Sequence, residues 1–208
     1  MTKRTIDWGG RVSEAYAHDP EDVIVKLYWD KSQYYENKLN QLLRYFRKLG
    51  DVDCYVDVGA HLGNHAMWMK FQSKDMYLFE PNKEVFECLK KNCPEAKCYN
   101  IALGSRDGEV KTKSTKKRNS GQTEVVEGSG IAMRTLDYYK LKPNVIKIDV
   151  EGMEYDVLMG ASETINRNRP VVAVEVSKNE DKINEFFKIR GYTCRTTANV
   201  TKTNIYYP

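Results

Sequence analysis

Asp57, Gly59, Gly63 and Glu80 are the residues whose types and spacing most directly suggest chemistry. The apolar run ending Tyr55-Val56-Asp57-Val58 meets Gly59-Ala60-His61-Leu62-Gly63, and helix-like residues lead on to Tyr77-Leu78-Phe79-Glu80. Gly59 suits a sharp turn out of a buried parallel strand. Gly63 is expected to let the next helix approach the sheet, and that helix's N-terminus offers N–H groups to an anion. Glu80, twenty-three residues after Asp57 at the tip of the next strand, is placed to accept hydrogen bonds from both hydroxyls of a ribose. The pattern predicts a nucleoside-binding βαβ unit.

A dinucleotide fold wants Gly-x-Gly-x-x-Gly so that bare backbone can touch a pyrophosphate, and here His61 stands in the middle glycine's place. A side chain there obstructs a diphosphate but tolerates the amino-acid end of S-adenosylmethionine, whose amine can meet Asp57 or a nearby carbonyl and whose carboxylate can sit near the helix N-terminus. Methyl transfer, an in-line displacement at a sulfonium, is therefore expected in preference to hydride transfer. The protein must then position an acceptor and, for an alcohol, remove its proton. Asp149 and Glu151 follow a second apolar strand on one side of an extended chain, with Lys147 two residues earlier. Asp149 is the first choice for contact with cofactor or acceptor. Glu151 and Glu154 are candidates for proton acceptance, as is His65 on the first turn of the helix after Gly63, where Asn64 also faces the crevice.

The run from Val145 through Lys147-Ile148-Asp149-Val150-Glu151-Gly152 to Ala161, taken with Val56-Asp57-Val58-Gly59-Ala60 and Phe79-Glu80-Pro81-Asn82, resembles the FkbM family of S-adenosylmethionine-dependent methyltransferases. The likeness extends from about Asp51 to Tyr192 and takes in Asn100-Ile101-Ala102, Thr135-Leu136-Asp137 and Pro170 to Glu175. It implies a Rossmann-like, seven-stranded methyltransferase sheet, mostly parallel with an antiparallel C-terminal strand and helices on both faces. It also implies O-methylation of a hydroxyl on a carbohydrate or small molecule. The cofactor contacts expected are Asp57, Gly59, Ala60, His61, Gly63, Asn64, Glu80, Pro81, Asn82, Asn100, Ala102 and Asp149.

The elements that must position these groups follow from periodicity. Residues 51–208 read as one α/β domain, and residues 1–50 as a helical and strand extension packing on it. Val23 to Tyr28 is expected as an extra strand. A helix is expected from about Lys31 to Leu49, with Tyr35, Leu39, Leu42, Leu43 and Phe46 at helical spacing. A helix from Gly63 to Phe71 and another from Lys83 to Asn92 alternate with strands, a single helix runs from Asp149 to about Asn166, and Lys182 to Ile189 forms the last helix. The 208 residues suffice for one full core, and a net charge of +4 is mild. Five cysteines without a Cys-x-x-Cys pair suggest neither a disulfide framework nor a zinc ribbon, so a reducing cytoplasm is the simplest home. No apolar stretch approaches the roughly twenty residues of a membrane span, and Met1-Thr2-Lys3-Arg4 leads into no signal-like core.

Two other chemistries are weighed and set aside. His61 and His65 stand four apart, but His61 belongs to the turn and no His-Glu-x-x-His follows, so no metal is expected. Asp149, Glu151 and Glu175 have magnesium-type oxygens, without any spacing that shows convergence. Lys111 to Arg118 holds five basic residues in eight, the footprint of a phosphate-binding loop. It has no interleaved aromatics for stacking, so a nucleic-acid-directed methyltransferase, or a noncatalytic binding protein using loop 111–118, stays the alternative to a glycan or small-molecule acceptor.

Overall fold

The architecture, described for residues 1–7, 12–27, 29–31, 48, 50–114, 123–196 and 203–208 of a computed structural model, begins with a hairpin. Strands β1 (Thr2–Asp7) and β2 (Val12–Ala17) pair antiparallel, with Thr2 opposite Ala17. Val23–Leu27 then forms a helix, α1, where a strand was expected. The reason lies one residue upstream. Asp22 accepts the Ile24 N–H on its side chain at 2.9 Å, and its carbonyl accepts the Lys26 N–H at 3.0 Å, which caps and starts a helical turn. The β-branched run thus yields to its cap. The expected helix from Lys31 to Leu49 lies outside the described residues, Lys31 and Lys48 apart.

The central sheet is built on β3 (Val52–Val58), whose residues from Cys54 onward are all buried, as a strand covered on both faces requires. Its neighbours are β4 (Ser73–Phe79) and β10 (Val145–Ile148), both parallel to it. The full order is β5 (Lys97–Tyr99), β4, β3, β10, β11 (Val171–Glu175), β13 (Thr203–Tyr207), β12 (Thr193–Thr196). The first five run parallel and β13 is antiparallel to both its neighbours. The seven-stranded, mostly parallel sheet with an antiparallel C-terminal strand is therefore present.

Alternation along the strands splits the core in two. Tyr55, Leu78, Val145 and Ala173 share a cluster with Ala66 and Met67 of α2 (Asn64–Met69) and with Val85 and Leu89 of α3 (Lys83–Asn92). Val56, Val58, Ile146 and Val174 share the other with Val157 of α4 (Glu154–Met159), Ile165 of α5 (Ser162–Asn168) and Phe187 of α6 (Glu180–Lys188). Helices thus cover both faces. The hairpin and α1 add Ile6, Ala15 and Ile24 to the first cluster, and Trp29, in the 3-10 turn Trp29–Lys31, joins them.

The single helix expected from Asp149 to Asn166 is two helices. Asp137 separates them: its N–H donates to the Gly160 carbonyl at 3.0 Å, while its carboxylate accepts the Glu163 and Thr164 N–H groups at 3.0 and 2.8 Å. The start of α5 is thereby capped from outside its own segment. Residues 102–134 also form what the sequence had suggested only as short strands beside a loop. Their described residues make a four-stranded sheet, β6 (Ala102–Leu103), β9 (Ile131–Arg134), β7 (Gly108–Ser114) and β8 (Thr123–Glu127), in that order.

Gly59 leaves β3 at φ 79, and a Cβ placed on it would lie 1.8 Å from the Asp149 carbonyl oxygen. Gly191 has a similar φ of 71 with nothing near its would-be Cβ. Gly191→Ala is expected to lower stability by about 1–2 kcal/mol through left-handed strain alone. Gly59→Ala adds a backbone clash and is expected to lose on the order of 4 kcal/mol. Urea denaturation of both variants checks this, and equal losses would show that β10 does not crowd the turn.

Candidate active site

In a sheet ordered this way the chain turns to one side of β3 for β4 and to the other for β10, so a crevice opens beyond the carboxyl ends of β3 and β10. The sequence-derived residues converge there. Asp57 is wholly buried at the end of β3, opposite Lys147 in the parallel register. The Lys147 Nζ lies 3.2 Å from Asp57 Oδ1 and 3.2 Å from Asp149 Oδ2, and the Tyr55 hydroxyl donates to Asp57 Oδ2 at 3.0 Å. Burial works against the Lys147 charge, but Asp149, Asp57 and Glu175 outweigh it and raise the lysine above its ordinary range. Burial likewise pushes Asp57 up, against the pull of Lys147 and the Tyr55 hydroxyl. Both Asp57 oxygens are thus already engaged by side chains, which leaves the expected contact with a cofactor amine to a second lone pair or to another group.

Glu80 follows β4 and is 7% exposed. Its two carboxylate oxygens accept the His61 N–H at 3.0 Å and the Asn82 N–H at 2.8 Å. Burial pushes it up to about 7 despite those two hydrogen bonds. The Asn100 side chain donates to the Glu80 and Pro81 carbonyls at 2.8 and 3.0 Å, fixing the strand exit. Asn82 itself caps α3, accepting the Glu84 and Val85 N–H groups, so its side-chain oxygen is committed to the helix. Ala102 lies buried in β6.

The turn between β3 and α2 is held at both ends. The Gly59 and Ala60 N–H groups both donate to the Phe79 carbonyl at 3.0 Å, and His61 sits in the left-handed region at φ 51. Gly63 is needed for a reason other than approach to the sheet: a Cβ on it would lie 2.8 Å from Cys93 Sγ and 2.9 Å from Leu89 Cδ1, so it admits α3. Asn64 is buried and accepts the Trp29 indole N–H at 3.2 Å. His65 is buried with no hydrogen-bond partner for Nε2, and burial, aided by the Lys147 charge, pushes it well below the usual histidine range. His61 keeps some surface. Its imidazole is nonetheless enclosed enough that burial pushes it down to about 4, with Asp22 and Asp149 opposing and His18 and Lys147 adding to the fall.

Beyond β10 the chain does not stay extended. Glu151 takes φ 52 and Gly152 φ 111, so Asp149 and Glu151 do not continue one face of a strand as expected. Glu154, 1% exposed at the start of α4, accepts the Gly152 N–H and the Ser177 hydroxyl, both at 2.8 Å, and burial pushes it up. It is a clasp for the loop. Of the basic segment, Lys111 and Lys113 lie on β7, while Lys116, Lys117 and Arg118 lie outside the described residues. Tyr55, Asp22 and His18 were not singled out in the sequence. Tyr55 lies two residues before Asp57 on the same strand face, a spacing that could have found it.

Residues 57–196, more than half of the chain, match the FkbM methyltransferase domain. The chain belongs to the FkbM methyltransferase family. Its cofactor is S-adenosylmethionine. The FkbM chain is 29% identical over 124 residues to the hexuronic acid methyltransferase AglP of Haloferax volcanii, a match covering 54% of this chain and 52% of that one. It thus spans about half the length of this curated relative. A solved FkbM methyltransferase from Methylobacillus flagellatus KT aligns with a TM-score of 0.57 at 18% identity, over 76% of this chain and 44% of that one. An rRNA methylase from Streptococcus thermophilus aligns at 0.50 and 10% identity, over 82% of this chain and 95% of that one. These two likenesses show the α/β methyltransferase fold.

The residues present fit the cofactor on two grounds: an enclosed carboxylate at Glu80 and a buried, unpartnered Nε2 on His65. Glu80 also generates a pH prediction. Its native pKa of about 7 lies above its ordinary value of 4.5, so the native state binds the extra proton and Glu80 weakens the fold as pH rises from about 4.5 to 7. Across that window the stability of Glu80→Gln relative to wild type should improve by about 3 kcal/mol. Denaturation at several pH values reads this, and a flat difference would show that Glu80 titrates normally.

Proposed function

We propose that this FkbM chain is an S-adenosylmethionine-dependent O-methyltransferase whose acceptor is a carbohydrate hydroxyl. The observation that carries the reading is the convergence of Glu80, the Gly59–Gly63 turn and the Lys147–Asp149 pair at one crevice of a methyltransferase sheet. The carbohydrate class is supported by the likeness to AglP, a hexuronic acid methyltransferase. When bound, the cofactor supplies an electrophilic methyl group on a sulfonium.

Every other task falls to side chains. Glu80 would accept the ribose hydroxyls on the lone pairs left free by the His61 and Asn82 N–H groups. His65 Nε2, buried and unpartnered, would meet the cofactor's amino-acid end. Lys147 stays protonated and so is no base; it fixes the Asp149 carboxylate, which would orient the acceptor. Lys111 and Lys113 on β7 offer positive charge to an anionic sugar. No described helix is long and apolar enough to cross a membrane. All five cysteines are free thiols, which supports a cytoplasmic site of action.

Calorimetry with S-adenosylhomocysteine should show binding that weakens at least tenfold in Glu80→Ala, since a charge-assisted hydrogen bond contributes roughly 1.5–3 kcal/mol. Intact-mass screening of uronic-acid oligosaccharides with S-adenosylmethionine should yield a product heavier by one methylene. Asp149→Asn should lower kcat on that acceptor while keeping cofactor affinity. Unchanged affinity in Glu80→Ala, or tighter binding of a nicotinamide dinucleotide, would overturn the cofactor site.

A further inference from the structure

The loops that follow β10 and β11 are clasped to each other at the carboxyl edge of the sheet. The two strands are parallel neighbours, with Ile148 opposite Val174, so residues 149–153 and 176–179 leave the sheet side by side. Glu154 ties them, because one of its carboxylate oxygens accepts both the Gly152 N–H and the Ser177 hydroxyl at 2.8 Å. Lys178 comes next, and its side chain lies along Gly152. A Cβ on Gly152 would sit 3.1 Å from Lys178 Nζ, 3.3 Å from Cδ and 3.4 Å from Cε, so the glycine is the bed on which the lysine stem rests. The ammonium reaches Glu124 of β8 at 3.7 Å. Glu124 stands opposite Lys113 of β7 in the antiparallel register, which places a second cation on the same face of that strand pair.

We propose that Lys178 selects the acceptor by its acid group: the ammonium held over Gly152 binds a carboxylate on the sugar, and Glu124 keeps that place until the acceptor arrives. This rests on the carbohydrate methyltransferase reading above. Gly152 is three residues from Asp149, a length of chain that spans at most about 11 Å, so Lys178 is within reach of an acceptor oriented by Asp149. Lys147 is unsuited to the task, since it is 6% exposed and already held between Asp57 and Asp149.

The pairing with Glu124 is built to be exchanged. At 3.7 Å it is too long for a hydrogen bond, so Glu124 attracts the ammonium without consuming its three N–H donors. The two side chains are 62% and 39% exposed, and an incoming carboxylate can replace Glu124 without stranding a buried charge. Replacing one carboxylate by another leaves the charge on the lysine balanced. The gain is then set by the charge-assisted hydrogen bonds that Glu124 does not make. The displaced Glu124 keeps Lys113 as its cross-strand neighbour.

The test compares the full chain with Lys178→Met, Lys178→Arg and Glu124→Gln, on a uronic-acid oligosaccharide and on its carboxyl-reduced, neutral counterpart. Methionine keeps an unbranched stem over Gly152, and thermal unfolding checks that the fold is retained. In Lys178→Met the acceptor KM should rise about tenfold for the acid and stay unchanged for the neutral sugar, with kcat and S-adenosylhomocysteine affinity preserved. Lys178→Arg should restore the preference for the acid. Glu124→Gln should lower the KM for the acid about threefold at low salt, an advantage that shrinks as salt screens the charges. An unchanged KM for the acid in Lys178→Met overturns the proposal. So does an equal rise for both sugars, which would mark Lys178 as a support of the loop. A wild type that methylates both sugars with equal KM overturns the acid selection alone. A wild type that binds S-adenosylhomocysteine but methylates neither sugar overturns the carbohydrate reading, and the role of Lys178 with it.

Discussion

A lysine ammonium enclosed between two carboxylates is the constraint on which the site depends. Lys147 has 6% of its side chain exposed and could not stay charged in an apolar strand without partners. Asp57 supplies one from the directly opposed position of β3, and Asp149 supplies the other from just past the strand end. Removing one member of such a group typically costs about 3–5 kcal/mol, because a buried charge is left uncompensated. The triad therefore does more than add stability. It makes any slip of β10 against β3 expensive, since a one-residue shift would turn Lys147 to the opposite face.

That fixed register sets the next contact. With β10 locked, the Asp149 N–H reaches the Val58 carbonyl at 3.0 Å, and the Asp149 carbonyl comes close enough to Gly59 that no side chain fits there. The turn that follows is bent left-handed at His61 and is held by Glu80 from the neighbouring strand. One carboxylate thus clasps the turn through its two hydrogen bonds, while raised in pKa by its own burial. Charge placement in β3, β4 and β10 and backbone shape in the turn are consequences of a single arrangement.

What could be read from the chain was what periodicity and spacing encode. The strand-end positions of Asp57, Gly59, Glu80 and Asp149 were legible because a parallel sheet brings strand ends together, and the βαβ alternation followed from periodic apolar runs, whereas the seven-stranded sheet was what the family resemblance implied. The misses share a cause: they are set by contacts distant in sequence. Val23–Leu27 reads as a strand by composition but is started as a helix by the Asp22 cap. The helix after Glu154 is cut by Asp137, 26 and 27 residues upstream of the N–H groups that it caps. Gly63 was assigned to helix–sheet packing, whereas the neighbour it admits is α3, through Leu89 and Cys93. Glu151 looked like a partner for Asp149 until the backbone turned at φ 52.

The N-terminal segment shows why such contacts matter to the turn after β3. Helix α2 has six residues and no side-chain cap, far below the length at which a helix persists by its own hydrogen bonds. Its stability must come from packing, and Ala66, Met67 and Met69 are indeed wholly buried. Part of that cover comes from Ile24, Val25 and Trp29, with the Trp29 indole also satisfying Asn64. A stretch that the sequence presents as an appendage to the methyltransferase domain is thus bound into the core that holds α2. Because Asn92 joins Tyr16 and Leu62 in the same network, loosening the hairpin would loosen the turn that carries His61. Shape in the turn after β3 is therefore a property of the sheet and of the segment packed outside it together.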